Sequence, residues 1–203
     1  MGEVSPAQKR SLRTIISASN RMNELISTLL NITRMESGTI SITPKPVHTF
    51  KLSDEIVKEL ALLASDKAIE LTLTSSGTGS ATIKTDPLIL KEIVTNLVSN
   101  SIKYTPEKGK VGIQLKLRTN DILFTIIDTG WGIPKESQDQ IFSKFFRADN
   151  IVKRETTGTG LGLYLVKGLV DSLGGKIWFK SDEGKGTIFY FSLPRKARVG
   201  KTL

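Results

Sequence analysis

Cysteine is absent from this chain, and histidine occurs once, at His48. The first absence removes disulfide frameworks and thiolate metal sites, and the second removes any multi-histidine metal centre. No apolar run approaches the roughly 18–20 residues of a membrane-spanning helix, and nothing at the start has the layout of a signal peptide. No stretch has the composition of a disordered tail either. Hydrophobic residues make up 38% and charged residues 24% of 203, values of a folded globular chain with room for one substantial core plus an appendage, or for two small domains. The net charge of +9 raises the question of nucleic acid. The basic residues are scattered, however, with modest clusters only at 9–13 and 195–201, and no aromatics are interleaved with them as a single-strand platform requires. No nucleic-acid binding and no membrane contact are expected. A solvated basic surface that suits an anionic nucleotide is the simpler reading.

What is present falls into two parts. Ser5 followed by Pro6 is a helix start, with serine as N-cap and proline in the first turn. From there Leu12, Ile15, Ser19, Met22, Ile26, Leu29 and Thr33 recur at alternating spacings of three and four, and Ile16, Leu25 and Leu30 widen the seam to the breadth used in helical bundles. Gly38 ends the helix. Such a stripe demands cover, which a partner helix, a second copy or the rest of the chain could supply. Pro44 and Pro46 make 41–47 a stiff extended spacer, which argues against folding back.

The second part alternates helices and strands. Ser53-Asp54-Glu55 is read as the cap of a helix buried through Ile56, Val57, Leu60, Leu63 and Ala64. Short strands are expected at 71–74 and 81–83 around a Ser/Gly/Thr turn. Asp86-Pro87 opens a second helix running to about Lys103, with Leu90, Ile93, Val94, Leu97, Val98 and Ile102 on its buried side. Asn96 and Asn100 lie one turn apart and project together, a pair of amides suited to a metal ion that carries phosphates. Strands at 111–117 and 122–127 form a hairpin. A short helix is expected around 136–145, then a mobile polar loop at 148–157. A helix at 163–173 and a hairpin of 176–181 with 186–193 complete the part.

Two glycine-rich stretches stand out. After the apolar run Ile122, Leu123, Phe124, Ile126 and Ile127 comes DTGWGIP, read as a buried strand that delivers Asp128 to the mouth of a pocket. Gly130 and Gly132 let the backbone turn and approach a ligand there. The stretch 157–163, TGTGLGL, opens a helix, so its backbone N–H groups can face phosphate oxygens. Alone it reads equally well as a hinge with no ligand.

Taken in order, NLVSNSIKYTP, DTGWGIP, IFSKFFR and TGTGLGL resemble the N, G1, F and G2 boxes of the bacterial sensor histidine kinases of the GHKL superfamily, and GKGT resembles a further glycine–threonine element of that family. The first helix, with RMNELISTLLNITRMESG, looks like the second helix of their dimerisation and phosphotransfer hairpin. The resemblance implies an α/β (α+β) Bergerat fold, a two-layer sandwich of a mixed sheet and helices, preceded by one long hairpin helix. It implies these boundaries: 1–40 the hairpin helix, 41–48 a linker, 49–195 the catalytic ATP-binding domain and 196–203 a tail. By the same resemblance Asn100 binds Mg²⁺ beside the phosphates, with Asn96 and Lys103 nearby, Tyr104 packs on adenine, and Asp128 accepts from the adenine amino group. Gly130 and Gly132 leave room for the base, Ile133 joins the ATP-binding residues beside them, and Thr187 supports Asp128 through its hydroxyl. Gly158, Thr159, Gly160, Leu161 and Gly162 form the lid and face the triphosphate, with Lys144 and Arg147 as further phosphate contacts.

In related ATPases the position of Asn96 resembles a water-activating glutamate. An amide has no basicity to offer, so hydrolysis is disfavoured and the γ-phosphate is kept for transfer. The family's phosphoacceptor histidine lies on a helix this chain does not contain. His48, in Pro-Val-His-Thr-Phe, reads as a surface or strand residue and lacks the acidic neighbour of an acceptor. The expected activity is therefore ATP-dependent transfer to a histidine on a separate helix, without autophosphorylation by this chain alone. Homodimerisation through the first helix and a response regulator are the implied partners, and the cytoplasm is the implied location, with any membrane anchor outside this segment. A non-catalytic ATP-binding or dimerisation regulator and an anti-sigma-type serine kinase are the alternatives.

Overall fold

The computed structural model describes residues 5–152 and 158–195. The chain divides into two units, Met1–Ile40 and Ser41–Leu203, each described by itself. The first unit is helix α1, Pro6–Glu36. Ser5 caps it in a reciprocal box: its hydroxyl accepts from the Gln8 amide, and the Gln8 side chain accepts from the Ser5 amide at 2.8 Å. The chain leaves the helix through Gly38 in the left-handed region, φ 65°. Leu12, Ile15, Met22, Ile26 and Leu29 of the seam, together with Ile16, Leu25 and Leu30, are all exposed.

The second unit is built on five strands: β2 (Glu70–Gly77), β4 (Lys110–Leu117), β5 (Asp121–Asp128), β6 (Lys176–Asp182) and β7 (Gly186–Pro194). They pair in the order β2-β4-β5-β7-β6, parallel between β2 and β4 and antiparallel elsewhere. This is the mixed sheet expected. Strand β4 alternates buried and exposed residues, whereas β5, in the middle of the sheet, is buried along most of its length. Phe124 on β5 stacks on Phe191 of β7 with ring centroids 4.4 Å apart. Helices α2 (Thr49–Ser65), α3 (Pro87–Tyr104) and α5 (Gly162–Ser172) back the sheet, and α3 contributes Leu90, Ile93, Val94, Leu97, Val98 and Ile102 to the core.

Several local expectations change. Residues 45–48, read within a linker, form strand β1 (Lys45–His48), antiparallel to β3 (Thr82–Thr85) in a separate two-stranded sheet. Extended backbone around Pro44 and Pro46 is as good for a short edge strand as for a spacer. Helix α2 begins at Thr49 rather than at Ser53. Its cap is His48, whose Nδ1 accepts from the Lys51 amide at 3.3 Å, and Ser53 is buried inside the helix. The helix expected around 136–145 is only a 3₁₀ turn, Lys135–Gln140, and Phe145 has a left-handed backbone that no helix contains. A short helix α4 (Asp149–Val152) occupies part of the predicted loop, whose residues 153–157 lie outside those described. So does the tail 196–203. Arg195 belongs to the fold: its guanidinium donates to the carbonyls of Arg118, Thr119, Ser80 and Thr82, tying two loops to the end of β7.

Candidate functional site

Strand β5 ends at Asp128, a residue only 7% exposed. A buried carboxylate needs donors, and three are in place. Oδ1 accepts from the amides of Gly130 at 2.9 Å and Thr187 at 3.0 Å, and Oδ2 accepts from the Ser101 hydroxyl at 3.2 Å. Burial holds this carboxyl above the usual value of 3.8, and the three hydrogen bonds pull in the other direction. Thr187 thus supports Asp128 through its backbone, while its hydroxyl pairs with that of Ser181 at 2.9 Å.

The loop beyond Asp128 is bound on two sides. The Trp131 amide donates to the Tyr104 carbonyl at 3.2 Å, joining the loop to the end of α3. The Ile133 amide donates to the Ser181 hydroxyl at 2.8 Å, and the Gln138 side chain donates to the carbonyls of Ile133 and Ser181. The glycines here are steric necessities. A Cβ at Gly130 would stand 2.6 Å from the Tyr104 carbonyl oxygen and 2.7 Å from Asp128 Oδ1, and one at Gly132, with φ 66°, would collide with the backbone of Asp182.

Helix α3 brings its amides against the start of α5. A Cβ at Gly162 would lie 3.2 Å from Asn96 Oδ1 and 3.7 Å from Asn100 Nδ2, so the three residues meet. Asn96 also donates to the Glu92 carbonyl at 3.0 Å, one turn back along the helix. No side chain caps α5, although the Thr159 hydroxyl accepts from the Leu161 amide at 3.2 Å. Leu161 itself is buried and anchors the stretch to the core. Lys103 Nζ and Arg147 Nε lie 3.2 and 3.5 Å from where a Cβ of Gly158 would stand, which places two cations beside the glycine stretch. Gly160, with φ 70°, packs directly on the backbone of Phe145. Lys144 Nζ lies over the Tyr164 ring, 5.2 Å from its centroid.

The structure therefore gathers Ser101, Tyr104, Asp128, Gly130 and Thr187 around the carboxylate, and Asn96, Asn100, Lys103, Arg147, Gly158 and Gly162 around the start of α5, both groups drawing on the last turns of α3. Ser101, Ser181, Gln138 and Asn150, which donates to the Gly132 carbonyl at 3.1 Å, were missed in the sequence. Ser101 carried a signal: it is a hydroxyl inside the otherwise apolar buried stripe of α3. The other three act through contacts between segments, which nothing local announces. Among the described residues there is no group of three or more His, Cys, Asp or Glu that could cage a metal. A pair of neutral amides fits Mg²⁺ bound chiefly by phosphates and water, and does not fit a resident metal held by protein alone.

Residues 85–197 match the family described as histidine kinase-, DNA gyrase B-, and HSP90-like ATPase. The chain is 36% identical over 196 residues to the signal transduction histidine-protein kinase BarA of Escherichia coli K12, covering 94% of this chain and 21% of BarA. It thus spans about a fifth of that relative's length. Its fold is similar to that of full-length ShkA in complex with AMPPNP, with a TM-score of 0.81 at 24% identity, covering all of this chain and 42% of the other. It is likewise similar to the histidine kinase ThkA in complex with the response regulator TrrA, with a TM-score of 0.72 at 22% identity, covering 96% and 53%.

Proposed function

Because this chain belongs to the histidine kinase-, DNA gyrase B- and HSP90-like ATPase family, as the catalytic ATP-binding domain of a two-component sensor histidine kinase, we propose that it binds Mg·ATP and transfers the γ-phosphate to a histidine on a dimerisation helix. One observation carries the nucleotide half of this reading. An ionised carboxylate offers about four acceptor positions, and Asp128 spends three of them on Ser101, Gly130 and Thr187. What remains is one fixed acceptor at the end of a glycine-lined loop, the complement of a single exocyclic amino group. Adenine offers that donor and guanine presents a carbonyl at the corresponding position, so the carboxylate selects between them.

Beside that carboxylate, Asn96 and Asn100 of α3 face the first turn of α5, with Lys103 and Arg147 beside Gly158. The amides suit the metal side of a triphosphate, and the cations and helix start suit its oxygens. Bound Mg²⁺ supplies charge neutralisation of the phosphates. Asn96 and Asn100 orient, Lys103 and Arg147 draw in the anion, and none of these four side chains is a base for water. Transfer is then favoured over hydrolysis. The acceptor is supplied from outside this chain: the only histidine is spent on capping α2.

Residues 1–40 are proposed as the second helix of the dimerisation hairpin, whose exposed seam a homodimer would cover, and 49–195 as the catalytic domain. Lys144, over Tyr164, is proposed as a further phosphate contact carried by the lid. A response regulator is the proposed downstream partner, since ThkA was solved with one. The test mixes the chain with Mg²⁺, labelled ATP and an isolated acceptor hairpin. Label on histidine is expected. Label on serine would move the chain to the serine kinases, and nucleotide binding without any label would leave it a regulatory module.

A further inference from the structure

Every carbonyl at the end of α3 is accounted for, and the largest share goes to one lysine that no motif includes. A helix leaves its last four carbonyls without partners inside the helix. Here Ser101 accepts from the Thr105 hydroxyl at 2.6 Å, and Tyr104 accepts from the Trp131 amide at 3.2 Å. Ile102 and Lys103 both accept from Lys67 Nζ, each at 2.9 Å, and the same ammonium also reaches the Thr105 carbonyl. Its three protons thus meet three carbonyls.

Lys67 lies 35 residues before Ile102 in the chain, in the turn after α2, a helix that packs beside α3. That turn is rigid. Ala68 holds a left-handed backbone at φ 50°, the Lys67 carbonyl accepts from the Lys108 amide, and the amides of Lys67, Ala68 and Ile69 return to Ser65 and Ala64. A cation at a helix C-terminus also meets the negative end of the helix dipole. Replacing it with a side chain that cannot donate would take this donor from all three carbonyls, those of Ile102, Lys103 and Thr105.

The end of α3 that Lys67 grips is the end that makes the site. Ser101 donates to Asp128, the Tyr104 carbonyl fixes the Trp131 amide of the glycine loop, and Lys103 lies beside Gly158. We propose that Lys67 is a positioning residue for nucleotide binding: by clamping the carbonyls of Ile102, Lys103 and Thr105 it sets the last turn of α3 against Asp128 and the glycine loop. It touches no substrate and acts through Ser101, Lys103 and Tyr104. This rests on the nucleotide reading above.

The experiment measures Mg·ATP affinity by calorimetry and Tm by calorimetric scanning in wild type, Lys67→Met, Lys67→Arg and Leu193→Ala. Leu193 is a buried residue at the opposite end of the sheet from Asp128 and supplies a control for lost stability alone. At a temperature where all are folded, Lys67→Met should bind Mg·ATP at least roughly ten-fold more weakly, because supporting groups displaced by a fraction of an ångström lose much of their effect. Lys67→Arg, which keeps charge and donors, should recover part of the loss, and Leu193→Ala should bind like wild type despite a lower Tm. If Lys67→Met does not fold, Lys67→Gln, with one uncharged donor group, takes its place. Lys67→Met affinity equal to wild type, with only Tm lowered, would overturn the positioning role and leave the nucleotide reading standing. A wild-type protein unable to bind Mg·ATP would overturn both.

Discussion

Thr187 donates its backbone N–H to Asp128 at 3.0 Å, although 59 residues separate the two along the chain. The pairing of β5 with β7 makes this contact, since Asp128 and Thr187 are register partners at the end of that ladder. The carboxylate that would read the base is therefore aimed by the sheet itself, and a rigid ladder aims more tightly than a loop.

Removal of that carboxylate should cost both binding and stability. In Asp128→Ala the amides of Gly130 and Thr187 lose their acceptor in a buried setting, worth about 1–3 kcal/mol of stability. Mg·ATP affinity should fall by at least about ten-fold, the equivalent of one charge-assisted hydrogen bond. The preference for ATP over GTP should disappear with it. Calorimetric titration with both nucleotides measures all of this, and unchanged ATP affinity would count against the pocket.

Acid should weaken nucleotide binding earlier than an ordinary carboxylate would. Burial raises the Asp128 carboxyl above 3.8, and only its ionised form can accept from a base amino group at the remaining position. Affinity is expected to decline as pH falls through that raised value. Stability runs the other way for this group. Between 3.8 and its raised value the folded state holds more protons than the unfolded one, so the Asp128 contribution is fully present below 3.8 and is lost as pH rises through the window. Urea unfolding of wild type and Asp128→Asn across acidic pH reads that difference, which should vanish if the carboxyl is not perturbed.

Gly162→Ala separates binding from folding. The added methyl stands 3.2 Å from Asn96 Oδ1 and 3.7 Å from Asn100 Nδ2, and Gly162 is the first residue of α5. Alanine in place of glycine where the backbone is compatible stabilises by about 0.4–1 kcal/mol, which the tight contact with Asn96 Oδ1 offsets, so Tm should stay close to wild type. Mg·ATP affinity should nevertheless fall several-fold, because the methyl fills the gap between the amides and the start of α5. Wild-type affinity in this variant would show that nothing binds there.

The metal role of Asn100 is read as a difference. In Asn100→Ala the gain in ATP affinity on adding Mg²⁺ should shrink, while ATP binding in chelator changes little. A half-buried amide whose loss left the Mg²⁺ dependence intact would be a structural residue only.

Much of this architecture was legible along the chain. The Asp86-Pro87 start and apolar stripe of α3, the hairpin of β4 and β5 and the glycine stretches depend on neighbours within a few residues. Local patterns carry such information. The misreadings occurred where a distant contact outweighed a local preference. Ser53-Asp54-Glu55 has the form of a cap, but pairing of β1 with β3 sets the chain so that helix α2 starts from His48. Phe145 sits in an apolar run that looks helical, yet its backbone is left-handed where it packs on Gly160.

By itself, then, the sequence determined the family boxes, the helix and strand periods and the identity of the carboxylate and amides, because each is a short-range pattern of residue types. Tertiary structure alone decided what holds those groups in place. The Ser101 and Thr187 donors to Asp128, the Lys67 clamp on α3 and the Arg195 tie between loops all join residues far apart in the chain. A buried polar group must find its partner wherever packing puts one, and the linear order of residues does not record that place.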